Sequence, residues 1–457
     1  LGMEYNGKHF EELWDLGYLP IKVKSLPEGI ETLPNIPHMT FVNTVDGFGW
    51  LTLYLETVVS SLAWKPSTAA TIAKLYRRQA EEWVKKTDPA NLWLVDFMCH
   101  NFSARGLDPM SQYLIALGHD ISFKGDDTLV AIPASRYFYG VKEDEMPIFS
   151  VNASEHSVST TKIFTVGEQQ MIADWLKIFD KGILSIVSDT FDLWKLITEY
   201  LPANKEAIMA RDGKLVIRPD SGDPVDIICG EYFKVHPDGE SFNTINNSKG
   251  WVRSVSDEVL EDYKKLPQTK GVIELLWDIF GGTINEQGYK VLDPHIGAIY
   301  GDSITPDRQK QIYERLAAKG FAATNIVLGV GSFTYQYNTR DTLGFAAKGA
   351  WFEVKPPCTC SETEAIECSK NTSDGSGKCN HKQSYNIYKD PITDDGTKKS
   401  LKGLLQFTQD DNNEIVCLTE CTLQQESKGL LQVIYEDGKF YNQTTLEEIR
   451  NKINKLC

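Results

Sequence analysis

The chain has 457 residues, 41% of them hydrophobic and 24% charged, with a formal net charge of −16. That length exceeds one average domain and asks for two or three units with at least one large core. The negative balance disfavours a nucleic-acid backbone as partner, no apolar run reaches the ~20 residues that span a bilayer, and the opening LGMEYNGKHFEELWD lacks a signal-peptide pattern. A cytoplasmic protein is expected, one that can still hold a phosphorylated small molecule on local arginines or helix N-termini.

Residues 1–60 carry strand and turn signals, with IKVKSLPEGIETL and HMTFVNTV punctuated by Pro and Gly. From Lys65, KPSTAATIAKLYRRQAEEWVKKT repeats apolar residues at helical spacing, with Ser67 or Thr68 placed as cap. Between about Ala90 and Phe345 the chain then alternates strand-like and helix-like segments, the pattern of a β/α barrel or a doubly wound sheet. Four apolar runs stand out: ILSIVSDT (Ile183 to Thr190), KLVIRPDSGDP (Lys214 to Pro224), IGAIYGDSIT (Ile296 to Thr305) and NIVLGVGSF (Asn325 to Phe333). Strands without polar alternation are buried on both faces, as in a parallel sheet covered by helices. Each run ends in an acid or a glycine loop. Active sites of α/β barrels are built at that end, so Asp189, Asp220, Asp302 and the Gly329/Gly331 loop are expected to share one pocket.

After Asp302, Thr305 is placed to cap a helix, Pro306 suits its first position, DRQKQIYERLAAK is helical and Gly320 ends it. Residues 346–457 contain a loop-like insert, 356–383, followed by the strand-like YNIYKD, GLLQFT, EIVCLT and LLQVIYEDGKFY. Thr445 and Glu448 form a capping box for a last helix. The expected architecture is an α/β barrel over 61–345 with a second, β-rich domain built from both chain ends. Five of the nine cysteines (Cys99, Cys229, Cys417, Cys421 and Cys457) are scattered, as reduced thiols are. The other four, Cys358, Cys360, Cys368 and Cys379, crowd into the insert with His381 close behind. Structural zinc usually takes two C-x2-4-C knuckles and only one tight pair occurs, so a zinc clasp and a surface loop of unpaired thiols both stay open.

The runs HNFSARG (His100 to Gly106), FKGDDT, SVNASEHS, SIVSDTFD, IRPDSGDP, YGDSI, the TRD of Thr339 to Asp341, and YKDP occur in this order. From about Phe10 to the C-terminus the chain thereby resembles the nicotinamide phosphoribosyltransferase family. The resemblance implies a type II phosphoribosyltransferase-like α/β barrel and a homodimer whose sites are shared across the interface. It also implies a reaction in which nicotinamide and phosphoribosyl pyrophosphate give nicotinamide mononucleotide and pyrophosphate, a step of NAD biosynthesis.

Read as residues, Phe102 is either core or a platform for a flat ring, and Arg105 either a solvated charge or one that stacks or meets a phosphate. The resemblance favours the site for both. Asp127 in KGDDT can accept a hydrogen bond from an amide NH2 and would repel a carboxylate, unless it only caps a turn. The resemblance puts Asp127 and Ser185 at the amide, with Ser150 and Val151 lining the same substrate site, and so implies nicotinamide over nicotinate. Arg218 and Asp220 resemble ribose and pyrophosphate handlers, and Gly301 and Asp302 the ribose site. Acids at strand ends are otherwise often helix caps. Mg2+ is expected on Asp189 and Asp220, because it takes one or two carboxylates plus phosphate oxygens and water.

Gly331 and Ser332 in GVGSF are placed to cradle the 5′-phosphate on backbone N–H groups, although Ser332 and Phe333 stand where the family carries glycines. By resemblance Arg340 and Lys348 approach this phosphate from the partner subunit, with Lys389 nearby. His156, with Glu155 to orient it, matches the family's histidine that is phosphorylated when ATP hydrolysis is coupled to synthesis. A lone histidine is otherwise more often structural. Asn101 and Ala104 replace the family's aspartate and tyrosine and are expected to reshape the base pocket. The family also has a further N-terminal segment, whose tyrosine covers the base from the neighbouring subunit. The sequence opens at Leu1 without it, which leaves open a fragment, a separately supplied piece, or a base covered on one side only. A nicotinate-using sister enzyme and a catalytically silent relative are the competing readings. Asp127 disfavours the first, and Arg218, Asp220, Asp302, Arg340 and His156 disfavour the second.

Overall fold

The structure, a computed structural model, describes residues 6–234, 243–246, 252–355, 382–393 and 399–454. It divides into two compact units, Leu1–Ala63 with Arg340–Thr444, and Trp64–Thr339 with Thr445–Cys457.

The larger unit is built on six parallel strands: β1 (Cys99–Phe102), β2 (Asn152–Ala153), β3 (Lys181–Val187), β4 (Asp212–Arg218), β5 (Ile296–Tyr300) and β6 (Ile326–Gly331). Their order is β1-β6-β5-β4-β3-β2. As the unbroken apolar runs demand, Leu184 to Val187 and the whole of β5 are buried. The two edges are joined through short bridged segments. Asn101 bridges Asp126, Gly125 bridges Phe149, and Phe149 stands three residues before β2. The backbone bonds from Asn101 N to Gly125 O (3.3 Å) and from Phe149 N to Lys124 O (2.7 Å) carry this closure. Spatial order therefore follows chain order around a ring, which makes a barrel; a doubly wound sheet reverses its order at a switch point.

The long helix departs from expectation. It runs without a break from Gly49 to Thr87, so Ser67 and Thr68 are interior residues and not caps. Pro66 removes one donor from the helix without ending it, and the apolar WLTLYLETVV continues the helical period upstream. Ala73, Tyr76, Ala80 and Val84 form its buried stripe and join a core with Cys99, Ile115, Tyr313 and Leu328. A second helix, Pro109–Asp120, comes so close that a Cβ at Gly118 would stand 2.5 Å from Pro66 O. A further helix, Lys8–Leu16, lies where only strands and turns were expected, and Gly17 at φ 76° ends it. The unit after β5 follows its sequence signals: Thr305 Oγ1 accepts from Arg308 N at 3.2 Å and the helix spans Pro306–Ala318.

In the smaller unit, Ile21–Ser25 pairs antiparallel with Met39–Asn43 on one side and with Gln432–Glu436 on the other, so the two chain ends share one four-stranded sheet. Leu404–Gln409 and Ile415–Cys421 form a hairpin whose Leu405, Phe407 and Ile415 pack with Leu26. The insert cysteines Cys358, Cys360, Cys368 and Cys379, with His381, lie outside the described residues. Among the described residues no helix is long and apolar enough to cross a membrane.

The last helix, Leu446–Asn454, opens with the expected capping box, Thr445 N to Glu448 Oε2 (2.8 Å) and Glu448 N to Thr445 Oγ1 (3.3 Å). It belongs with the barrel, although 346–457 reads in the sequence as one piece. Arg450 fixes it there, donating from Nε to Asp120 O (2.7 Å) and from Nη2 to Pro147 O (2.8 Å) and Phe123 O (3.4 Å). Arg450→Ala strands three buried carbonyls and is expected to destabilise the protein by on the order of 3 kcal/mol, measured by chemical denaturation, with Arg450→Lys falling between.

Candidate functional site

Parallel strands present their C-terminal ends to one rim. Phe102 ends β1, Arg218 ends β4, Gly331 ends β6, Asp189 and Asp220 stand two residues past β3 and β4, and Gly301 and Asp302 follow β5. The Arg218 guanidinium lies 5.2 Å from the centre of the Phe102 ring, and its Nη2 is 3.6 Å from Asp220 Oδ2. Asp220 N donates to Asp189 Oδ2 at 3.1 Å. His156, the first residue of the helix His156–Val166, places Nε2 3.6 Å from Asp189 Oδ1 and 3.7 Å from Asp220 Oδ2. Two glycines seat the aromatic ring. A Cβ at Gly329 would lie 2.5 Å from Phe102 Cδ2, and one at Gly301 would lie 2.5 Å from Asp220 Oδ1 and 3.2 Å from Phe102 Cε2.

Burial pushes the Asp220 carboxyl above its ordinary range, and Asp189 and Asp302 add to this, against the pull of Arg218 and His156. Asp189 Oδ1 and Asp220 Oδ1 are buried without a hydrogen-bond partner. Such oxygens fit a hard cation that keeps water and phosphate ligands. Among the described residues no group of three or more His, Cys, Asp or Glu is arranged to hold a metal by itself, so these two carboxylates suit Mg2+ shared with a substrate. Asp302 accepts from Ser303 Oγ at 2.6 Å, and Ser303 takes a left-handed φ of 57° while its carbonyl receives Arg308 Nη1 at 2.6 Å.

A second group adjoins the first through His100, whose ring is edge-on to Phe102 at 6.2 Å. His100 Nδ1 is 2.9 Å from Asp127 Oδ2, Ser150 Oγ donates to Asp127 Oδ1, and Asp127 N donates to Asn101 O at 3.3 Å. Val151 follows Ser150 at the entry to β2, and Ser185 sits 4% exposed in β3, paired with Ala153. His100 had no role assigned from sequence. Its signal was there as the first residue of HNFSARG, one alternation before Phe102 on the same strand face.

Two side chains, those of Glu155 and Asn101, do other than expected. Glu155 bonds Arg105 Nη2, and the carboxylates that face His156 are Asp189 and Asp220. Burial raises the Glu155 carboxyl, but the Arg105 bond and the charges of Arg105, Arg218 and His156 outweigh it and hold it below the ordinary range. Asn101 turns its side chain into the interior: it is fully buried, with Nδ2 donating to Asp126 Oδ2 at 2.8 Å and Oδ1 accepting from Ser103 Oγ at 2.6 Å. An aspartate there would oppose Asp126, which explains the amide. Ser332 packs on Gly106, where a Cβ would come within 2.5 Å of Ser332 Cβ. Arg340, which bonds Asp341 Oδ1 at 2.8 Å, and the exposed Lys348 and Lys389 belong to the smaller unit.

Beneath Asp127, Asp126 and Asp120 face each other in the interior, where burial drives both carboxyls up, Asp126 to about 6 and Asp120 well above its ordinary value. Asn101 and the Thr128 N–H pull Asp126 back, and Arg450 pulls Asp120 back. Both folded values exceed the unfolded one, so the native state binds more protons above about pH 4, and stability falls as pH rises. Asp120→Asn, which supplies a fixed donor, is expected to raise Tm by an amount that grows from pH 5 to pH 8, at roughly 1–2 °C for each kcal/mol. A gap independent of pH would contradict a proton held between the two acids.

Residues 97–439 match the nicotinate phosphoribosyltransferase (NAPRTase) family. The chain is 38% identical to the nicotinamide phosphoribosyltransferase of Acinetobacter baylyi over 98% of its own length and 78% of that protein. It is 32% identical to the nicotinamide phosphoribosyltransferase of Mycoplasma pneumoniae over 76% of its own length and 70% of that protein. Among solved structures, nicotinate-nucleotide pyrophosphorylase from Pyrococcus furiosus superposes with a TM-score of 0.49 at 16% identity, covering 97% of this chain and 82% of that one, too loose a match to carry an inference.

Proposed function

The chain belongs to the nicotinate phosphoribosyltransferase family, and on that footing we propose that it transfers phosphoribosyl from phosphoribosyl pyrophosphate to nicotinamide. The products are nicotinamide mononucleotide and pyrophosphate, for NAD synthesis. The observation that carries this reading is the unbroken series Asp127, His100, Phe102, Arg218, Asp220, Asp189 and His156, each in contact range of the next.

The pyridine ring lies against Phe102, and Asp127 accepts a hydrogen bond from the carboxamide. A nicotinate carboxylate in the same place meets a like charge, so the amide is preferred. Arg218 faces the diphosphate, and Asp220 and Asp302 lie where positive charge develops on the ribose carbon. Asp189 and Asp220 would hold Mg2+, which would supply charge neutralisation for the leaving diphosphate. Gly331 and Ser332 offer backbone N–H groups to the 5′-phosphate, and in a homodimer Arg340 and Lys348 of the partner complete that subsite, with Lys389 nearby. Arg105, tied to Glu155, guards the entrance beside His156. ATP transfers its γ-phosphoryl group to a ring nitrogen of His156, with ADP leaving, and the phosphoimidazole adds charge next to Asp189 and Asp220.

Incubation with Mg2+, phosphoribosyl pyrophosphate and either base, followed by chromatography, is expected to give nicotinamide mononucleotide and little nicotinate mononucleotide. Asp127→Ser is expected to lower the nicotinamide-to-nicotinate ratio of kcat/KM about tenfold or more, a change of about 1.4 kcal/mol; an unchanged ratio removes Asp127 from the amide. Treatment with ATP is expected to leave acid-labile phosphate on the protein, and its persistence in His156→Ala would rule out that histidine.

A further inference from the structure

We propose that His100 is the positioning residue that sets the rotamer of Asp127 and through it the choice between an amide and a carboxylate. This rests on the reading of Asp127 given above and assigns it a second determinant. An aspartate near a rim rotates freely about two torsions, and a carboxylate that turns by a few tens of degrees no longer aims a lone pair at the amide NH2. Here both oxygens are tied. Ser150 Oγ donates to Oδ1, and Oδ2 lies 2.9 Å from His100 Nδ1. An ionised carboxylate has no hydrogen to offer, so Nδ1 carries the proton and donates. The Asp127 backbone N–H is held as well, by Asn101 O on the same strand as His100.

His100 is itself wedged. It is 9% exposed and pairs in the ring with Gly329. One edge of the imidazole presses on Gly125, where a Cβ would stand 2.5 Å from Cδ2 and 2.6 Å from Nε2. Its plane stands at 77° to the Phe102 ring. Gly125 is not in a left-handed conformation, so a side chain there is excluded by the imidazole alone. The imidazole thus couples the platform for the ring to the carboxylate that reads the ring's substituent, and both are fixed by the same strand.

The test uses three variants of the full chain and the kcat/KM ratio for nicotinamide against nicotinate, with KM for phosphoribosyl pyrophosphate as control. His100→Phe keeps a flat ring at the position and removes the donor. His100→Asn places an amide N–H near the position of Nδ1. Gly125→Ala leaves His100 and Asp127 in the sequence but displaces the ring. His100→Phe and Gly125→Ala are expected to lower the ratio about tenfold, chiefly through KM for nicotinamide, while His100→Asn stays within about threefold of the parent. KM for phosphoribosyl pyrophosphate is expected to stay within about twofold in all three. A folded His100→Phe or Gly125→Ala protein with the parental ratio overturns the inference, as does an equal loss for both bases in all three variants. A parent chain that shows no preference for nicotinamide overturns the reading of Asp127 itself, and with it this role.

Discussion

One directional constraint organises the molecule: all strands of the ring run the same way, and the ring closes. Closure depends on a few backbone bonds between Asn101, Gly125, Lys124 and Phe149. Without them the chain from Cys99 to Phe149 would form an open edge, and Asp127 would have no fixed relation to Phe102. With them, residues separated by two hundred positions in sequence end on one rim.

That convergence has an electrostatic consequence. Asp189, Asp220 and Asp302 face one another at the rim with the Arg218 guanidinium and the His156 imidazole nearby, and two carboxylate oxygens there lack protein partners. In a folded protein such oxygens are costly, so their retention points to a use. The apolar part of the rim obeys a steric rule instead. Phe102 rests on Gly329 and Gly301: a side chain at Gly329 would collide with the ring, and one at Gly301 would collide with Asp220 Oδ1 and crowd the ring edge. The site therefore combines a charge-rich half, Asp189, Asp220, Asp302 and Arg218, with a flat aromatic half at Phe102.

What the sequence revealed follows from which interactions are local. The apolar runs ending at Asp189, Asp220, Asp302 and Gly331 are local signals, and so are the caps at Thr305 and Thr445; each survives in the fold. The start of the long helix was misread because Pro66 after Lys65 imitates a first-turn proline, whereas in a well-packed helix it is only an interior defect. The pairing of Glu155 with Arg105, the turn of Asn101 toward Asp126 and the grip of His100 on Asp127 all join residues from different segments. No local rule foretells them. The resemblance supplied the roles of single residues, but the partners that hold those residues in place became visible only in three dimensions.

The guanidinium of Arg450 bears on how the protein is made. It stitches the final helix to carbonyls at Asp120, Phe123 and Pro147, beside the bridges that close the ring. During translation those carbonyls emerge more than three hundred residues before their donor. Those carbonyls gain their donor only after some three hundred further residues have been made, and at about 5–20 residues per second that interval lasts tens of seconds. Until then water is the donor for these three carbonyls, and the guanidinium displaces it when the helix docks.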